Sequence, residues 1–154
     1  MSYITHLRKQ IGHAPIIMVG ACTIIINEQE QLLFQLRKDN NCWGLAGGAM
    51  ELGESLTQTA AREMYEETGL TPHHLKLLHV FSGQDYYYQY PNGDEVYNVI
   101  AAYLCNEYSG DLQFDKTEAT NLRFFDMHQL PTNISPPDAL ILSFFLHKLK
   151  EQQT

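Results

Sequence analysis

The sequence predicts an α+β (mixed α/β) fold, a mixed β-sheet between helices. Two observations predict it. Runs of β-branched and aromatic residues fill the middle of the chain, and two segments, Leu56–Thr68 and the stretch after Ser135, carry helix start signals. No repeat, low-complexity stretch or linker interrupts the 154 residues, so residues 1–154 read as one domain.

Taken in order, Ser2 to Ile11 reads as a short helix closed by Gly12. Pro15 to Ile26 is rich in β-branched residues and reads as a buried strand. Leu32 to Leu36 reads as a second strand, with Arg37 and Lys38 at its exit. Trp43 to Gly48 is a short Gly-rich passage. The helix from Leu56 to Thr68 is marked at both ends: Ser55 and Gln58 form a capping box, and Gly69 is a good terminator. Leu75 to Phe81 reads as a strand, and Tyr86–Tyr90 and Glu95–Leu104 as two strands joined by the turn Pro91-Asn92-Gly93-Asp94. Leu122 to Phe125 is a short strand. Ser135 caps a last helix with Pro136 at a favoured first position, running to about Lys150.

Composition excludes several classes. Apolar residues make up 44% and charged residues 18%, an ordinary globular balance. The net charge of −8 disfavours a long nucleic-acid partner, although a bound cation would admit a small phosphate-bearing one. Cys22, Cys42 and Cys105 are odd in number and show no CxxC spacing, so they read as reduced thiols rather than a disulfide frame or a zinc site. Met1–Lys9 shows no secretory leader pattern and no apolar run reaches membrane-spanning length, so the expected compartment is the cytoplasm.

The informative segment is Gly48 to Leu70. On its helix Glu63, Glu66 and Glu67 stand at i, i+3 and i+4 and share a face, while Leu56, Ala60, Ala61 and Met64 fall on an adjacent face suited to a sheet. Two bare carboxylates about 4 Å apart repel by roughly 4 kcal/mol at an effective dielectric of 20, and a divalent cation reverses that sign. The stretch holds no Cys or His, so its ligands are oxygens, which favours Mg²⁺ or Mn²⁺ over zinc. Alone, such a face is ordinary solvated helix surface, and Arg62 with Glu66 makes an ordinary i,i+4 pair.

The whole pattern departs from that bland reading. Gly48 is followed after five residues by Glu54, and after seven more by Arg62-Glu63-Met64-Tyr65-Glu66-Glu67-Thr68-Gly69-Leu70. Seven fixed residue types at that spacing coincide by chance on the order of once in 10⁸ starts or rarer. The segment resembles the Nudix box at every defining position, and Trp43-Gly44-Leu45-Ala46-Gly47-Gly48 ahead of it also resembles the family. Ala46 departs from it, since many members have proline there.

The resemblance implies a Nudix fold and hydrolysis of a nucleoside diphosphate linked to another group, X. It implies that Gly48, through its carbonyl, and Glu63, Glu66 and Glu67 hold Mg²⁺, with Mn²⁺ as a substitute, while Glu54 and Arg62 brace the loop against the helix. The catalytic candidates are Glu67, Glu66 and Glu118, with Glu67 first as general base and Glu118, on the loop before Leu122, second. Arg37 is placed to touch a substrate phosphate, and Arg8 and Lys9 are weaker candidates. Tyr86, Tyr88 and Tyr90 alternate along a strand and so share a face; Tyr88 with its neighbours stacks a base, or else packs the sheet or a homodimer contact. Leu140, Ile141, Phe144, Phe145 and Leu149 read as core, with a dimer contact as the alternative. The expected partner is thus a small nucleotide-like diphosphate, with no long nucleic acid and no membrane. Two other readings stay open: removal of the 5′ pyrophosphate from RNA, and a Nudix module that binds nucleotide without cleaving it.

Overall fold

The computed structural model describes residues 2–153. Its elements run α1 (Tyr3–Ile11), β1 (Ile16–Ile25), β2 (Gln31–Arg37), β3 (Trp43–Gly44), β4 (Ala46–Ala49), α2 (Leu56–Thr68), β5 (Thr71–Phe81), a 3₁₀ turn (Gln84–Tyr86), β6 (Tyr87–Gln89), β7 (Glu95–Ser109), β8 (Ala119–Asp126) and α3 (Pro136–Gln152). The class is the expected mixture, but the strands form two sheets rather than one. The larger has the order β4-β1-β7-β5, with β6 also on β7, and the smaller has the order β3-β2-β8. β1 and β7 pair in parallel from Ile16↔Val96 to Ile25↔Cys105, and the other pairings between these strands are antiparallel.

The Gly-rich passage is what joins the sheets. Trp43–Gly44 pairs with β2 in one, and Ala46–Ala49 pairs with β1 in the other, with buried Leu45 between them. Gly47 is required by the close approach of two backbones: a Cβ there would stand 2.5 Å from the Ala21 carbonyl oxygen.

Alternation along β1 sorts the core into two sides. Cys22 and Ile24 pack with Leu32, Phe34, Ile141 and Phe145 under α3. Ala21 packs with Ala60, and Ile25 with Met64, under α2. α2 runs over the expected residues, with both halves of the Ser55–Gln58 capping box formed and Gly69 in the left-handed conformation at φ 79°. Ser135 precedes α3 as expected but makes no side-chain cap; its hydroxyl donates to Asp138 at 2.9 Å instead.

β5 begins at Thr71, earlier than the pattern suggests. Three register shifts against β7 break its period of two, and its position at the sheet edge tolerates Pro72. β7 likewise continues past Leu104 to Ser109, and beyond Cys105 β5 is its strand partner. Among the described residues no helix is long and apolar enough to cross a membrane.

One residue sits against the grain of this core. Thr23 is 0% exposed, and its Oγ1 has no hydrogen-bond partner among the described residues. Thr23→Val keeps the shape and removes the unpaired hydroxyl, so it should raise stability by about 1 kcal/mol. Chemical denaturation reads this directly, and a lower midpoint in the variant would show that the hydroxyl is satisfied after all.

Candidate active site

α2 presents its carboxylates beside the Gly-rich loop, and Arg62 organises them. Its Nε donates to Glu54 Oε2 at 2.6 Å and its NH2 to Glu54 Oε1 at 2.9 Å. NH2 also reaches the Ala49 carbonyl at 3.0 Å, and NH1 reaches Glu63 at 2.8 Å and Glu66 at 3.4 Å. The i,i+4 pair anticipated from spacing is thus the longest of these contacts, and the fork to Glu54 is the main one. Glu54 further accepts from the Thr59 hydroxyl at 3.0 Å and the Glu51 N–H at 2.9 Å. Arg62 above all holds the Glu54 carboxyl down to about 2, against a loss of solvent that works the other way. The loop is thereby clamped to the helix, the bracing role expected of Glu54 and Arg62.

Gly48 lacks a side chain for a reason the structure makes plain. A Cβ there would lie 2.5 Å from Glu63 Oε1 and 2.6 Å from its carboxyl carbon, so the Glu63 carboxylate fills the space beside Gly48. Glu67 is drawn deeper. Its Oε1 accepts from the Gly47 N–H at 2.6 Å and its Oε2 from Gln35 Nε2 at 2.8 Å. Burial pushes its pKa up to about 8, with repulsion from Glu63 adding, and with Gln35, Gly47 and Arg37 opposing. Burial also raises Glu63, against Arg62, and the charges of Glu66 and Glu118 add to the rise. Glu66 is the most exposed of the three, at 56%. Glu118 lies on an exposed loop whose backbone carbonyl accepts from the Lys38 N–H at 2.9 Å.

These groups fit a hard divalent cation by chemistry: all donors are oxygens, and their like charges raise one another's proton affinity. As the side chains stand, no three His, Cys, Asp or Glu groups among the described residues converge on one point. Arg62, Gly47 and Gln35 occupy the oxygens instead.

The Gly47–Gly48 corner opens into a cavity of about 120 Å³ lined by Met18, Cys22, Ile100, Asn98, Tyr88, Tyr90 and Asp138, with Arg37 at the carboxylate end. Arg37 donates to Asp39 at 3.0 and 2.9 Å and feels the charge of Glu67. Tyr88 accepts from Asn40 Nδ2 at 2.8 Å and meets Tyr90 edge to face, ring centres 4.9 Å apart. Tyr86 does not share their face. Residues 84–86 form a 3₁₀ turn, so alternation starts only at Tyr87, and Tyr86 packs 5.5 Å from Phe81. Tyr87 turns the other way, onto Tyr97. Arg8 does not line the cavity; its guanidinium is committed to backbone carbonyls elsewhere.

Three residues here escaped the sequence reading. Gln35 is a buried amide within an apolar strand run, a polar residue where the pattern asks for none. Asn98 is buried on β7, donating to the Tyr86 carbonyl at 2.9 Å. Asp138, at the start of α3, accepts on Oδ2 from the Leu45 N–H at 3.1 Å and the Ser135 hydroxyl at 2.9 Å, and no donor among the described residues reaches Oδ1. Burial raises its carboxyl above the ordinary range.

An acidic helix is thus clamped to a glycine corner, beside a cavity edged by an arginine. Residues 17–145 match the NUDIX domain, and the chain belongs to that family. A Bacillus subtilis (strain 168) protein with a provisional 8-oxo-dGTP diphosphatase name is 31% identical over 117 residues, 76% of this chain and 72% of its own length. An ADP-ribose pyrophosphatase of Methanocaldococcus jannaschii is 34% identical over 110 residues, 70% of this chain, and the match spans 61% of that longer protein. Among solved structures, a MutT NUDIX hydrolase from Burkholderia pseudomallei superposes with a TM-score of 0.70 at 26% identity, covering 84% of this chain and 97% of the other.

Proposed function

We propose that this protein hydrolyses the diphosphate linkage of a small nucleoside diphosphate-X compound, using Mg²⁺ or Mn²⁺, and that residues 1–154 act as one domain. The observation that carries the reading is the Glu63 carboxylate seated in the space a Gly48 side chain would fill, at the mouth of the cavity. Glu63, Glu66, Glu67 and the Gly48 carbonyl would hold the ion. When bound, the ion neutralises charge on the diphosphate and acidifies water. Arg37 steadies the substrate's phosphate through its guanidinium. Glu67, fixed by Gly47 and Gln35, accepts the proton from the attacking water, with Glu118 second in line for that role. Tyr88 and Tyr90 wall the cavity that takes the organic group, and Asp138 Oδ1 is the free acceptor for an N–H on it.

RNA 5′-end processing is the weaker reading, because a net charge of −8 repels a long polyanion. A module that binds without cleaving is weaker still, because all three box carboxylates are present.

The test is product release from ADP-ribose, guanosine and 8-oxo-guanosine triphosphates, UDP-glucose, dinucleoside polyphosphates and triphosphorylated RNA, each with Mg²⁺, Mn²⁺ or EDTA. Metal-dependent cleavage of one free nucleotide class is expected. Cleavage of the RNA alone would transfer the assignment to it, and cleavage of nothing by folded protein would remove the hydrolase reading.

A further inference from the structure

α1 is attached to the rest of the chain in an unusual way. It buries no residue, and its apolar Tyr3 and Ile11 are exposed. Ile4 and Leu7 are only half-buried, so apolar packing holds it weakly. Polar contacts at its two ends do the holding instead.

At its start, the Tyr3 N–H donates to the Glu51 carboxylate at 3.0 and 3.4 Å. Glu51 belongs to the loop that Glu54 closes through the Glu51 N–H. Toward its end sits Arg8, with a side chain only 11% exposed. Its NH1 donates to the Gly12 carbonyl at 3.1 Å and the Ala14 carbonyl at 2.6 Å. Its NH2 donates to the Glu95 carbonyl at 2.8 Å, and its Nε lies 3.6 Å from Asp94. His13 adds a 2.7 Å contact to the same Asp94.

Asp94 and Glu95 are where the β6–β7 hairpin turns. The Tyr90 N–H donates to the Asp94 carbonyl at 2.8 Å, and the Gly93 N–H to the Tyr90 carbonyl at 2.9 Å. β6 is only three residues long and pairs with β7 alone. Such a short edge strand is not rigid by itself. Yet it carries Tyr88, and the turn after it carries Tyr90, the two rings that wall the cavity. A fixed hairpin end is therefore a condition for a fixed cavity wall.

We infer that Arg8 is a positioning residue: through its contacts with the 12–14 link, Glu95 and Asp94 it holds the hairpin that sets Tyr88 and Tyr90 over the substrate cavity. This rests on the reading of that cavity as the seat of the substrate's organic group. α1 then acts as a strap between two walls of the site, with Glu51 of the box loop at one end and the tyrosine hairpin at the other. Methionine at position 8 fills much the same volume without a donor. Lysine keeps the charge facing Asp94 but cannot serve three carbonyls in one plane.

Two readouts on the full-length chain test this. The first is amide exchange of the free protein. In Arg8→Met, protection of the Tyr90 and Gly93 amides should fall by roughly tenfold or more, while amides of α2 keep theirs. The second is steady-state kinetics on ADP-ribose and guanosine triphosphate. KM should rise roughly tenfold with kcat within about threefold, and Arg8→Lys should recover part of the loss. His6→Ala, exposed on the same helix and away from the 12–14 link and the hairpin, should match the wild type in both. Wild-type exchange at the hairpin in Arg8→Met would overturn the inference, as would a fall in kcat with KM unchanged. If the wild type cleaves neither nucleotide, the kinetics move to whichever member of the panel it does cleave; if it cleaves none, the functional reading fails on its own, and the exchange experiment decides the role of Arg8.

Discussion

Glu67→Gln should lower turnover by about a thousandfold or more while moving the melting temperature by no more than about 2 °C. The two halves of that expectation have separate causes. Turnover falls because glutamine neither accepts a proton nor contributes charge to a cation. Stability holds because burial already favours the neutral form of the Glu67 carboxyl in the metal-free protein, so a neutral amide of the same shape adds no desolvation cost. The glutamine oxygen can still accept from the Gly47 N–H, and the Gln35 amide can turn its oxygen toward the new NH₂. Measuring kcat and the thermal midpoint on one preparation checks both halves. An active variant would move the general base elsewhere, with Glu118 the next residue to change. A variant that melts early would make Glu67 a structural residue first.

Gly48→Ala is the second large effect. All three atoms nearest the added Cβ belong to Glu63, at 2.5, 2.6 and 2.9 Å. These form the free end of a flexible side chain, so Glu63 swings aside and the fold survives. The carboxylate is then lost from its place, and kcat/KM should fall by roughly a hundredfold. Gly47→Ala makes the contrast, because its Cβ meets the Ala21 carbonyl oxygen at 2.5 Å and Cys22 Cα at 2.8 Å. Backbone of a central strand cannot step aside, so that variant should lose stability as well as activity. Equal melting losses in both variants would show that Gly48 is needed for the sheet rather than for Glu63. Full activity in Gly48→Ala would remove Glu63 from its assigned position.

The contrast also marks where sequence reasoning reaches. α2 was legible to the residue because its signals are local: a capping box, a terminating glycine and a carboxylate stripe all lie within one window. The clamp by Glu54 was legible only through a family likeness, since seven residues of loop and helix separate it from Arg62. Gln35 and Asp138 were not legible at all. Each acts through a partner distant in sequence, Glu67 for one and Leu45 for the other, and no spacing rule reports such a contact. The division into two sheets was hidden for a similar reason. It turns on a backbone corner at Leu45, within a passage too short to read as two strands. Tyr86 was misplaced because residues 84–86 form a 3₁₀ turn, so the strand's alternation begins only after it.

The claim on which the rest depends is that α2 and the Gly48 corner hold a divalent ion. It is tested without knowledge of the substrate by titrating Mn²⁺ into EDTA-treated protein and following free Mn²⁺ by electron paramagnetic resonance. The wild type should bind Mn²⁺ in competition with Mg²⁺, and a protein carrying both Glu63→Gln and Glu66→Gln should bind it at least about tenfold more weakly while remaining folded. Equal binding by the two proteins, or none by folded wild type, would contradict the account.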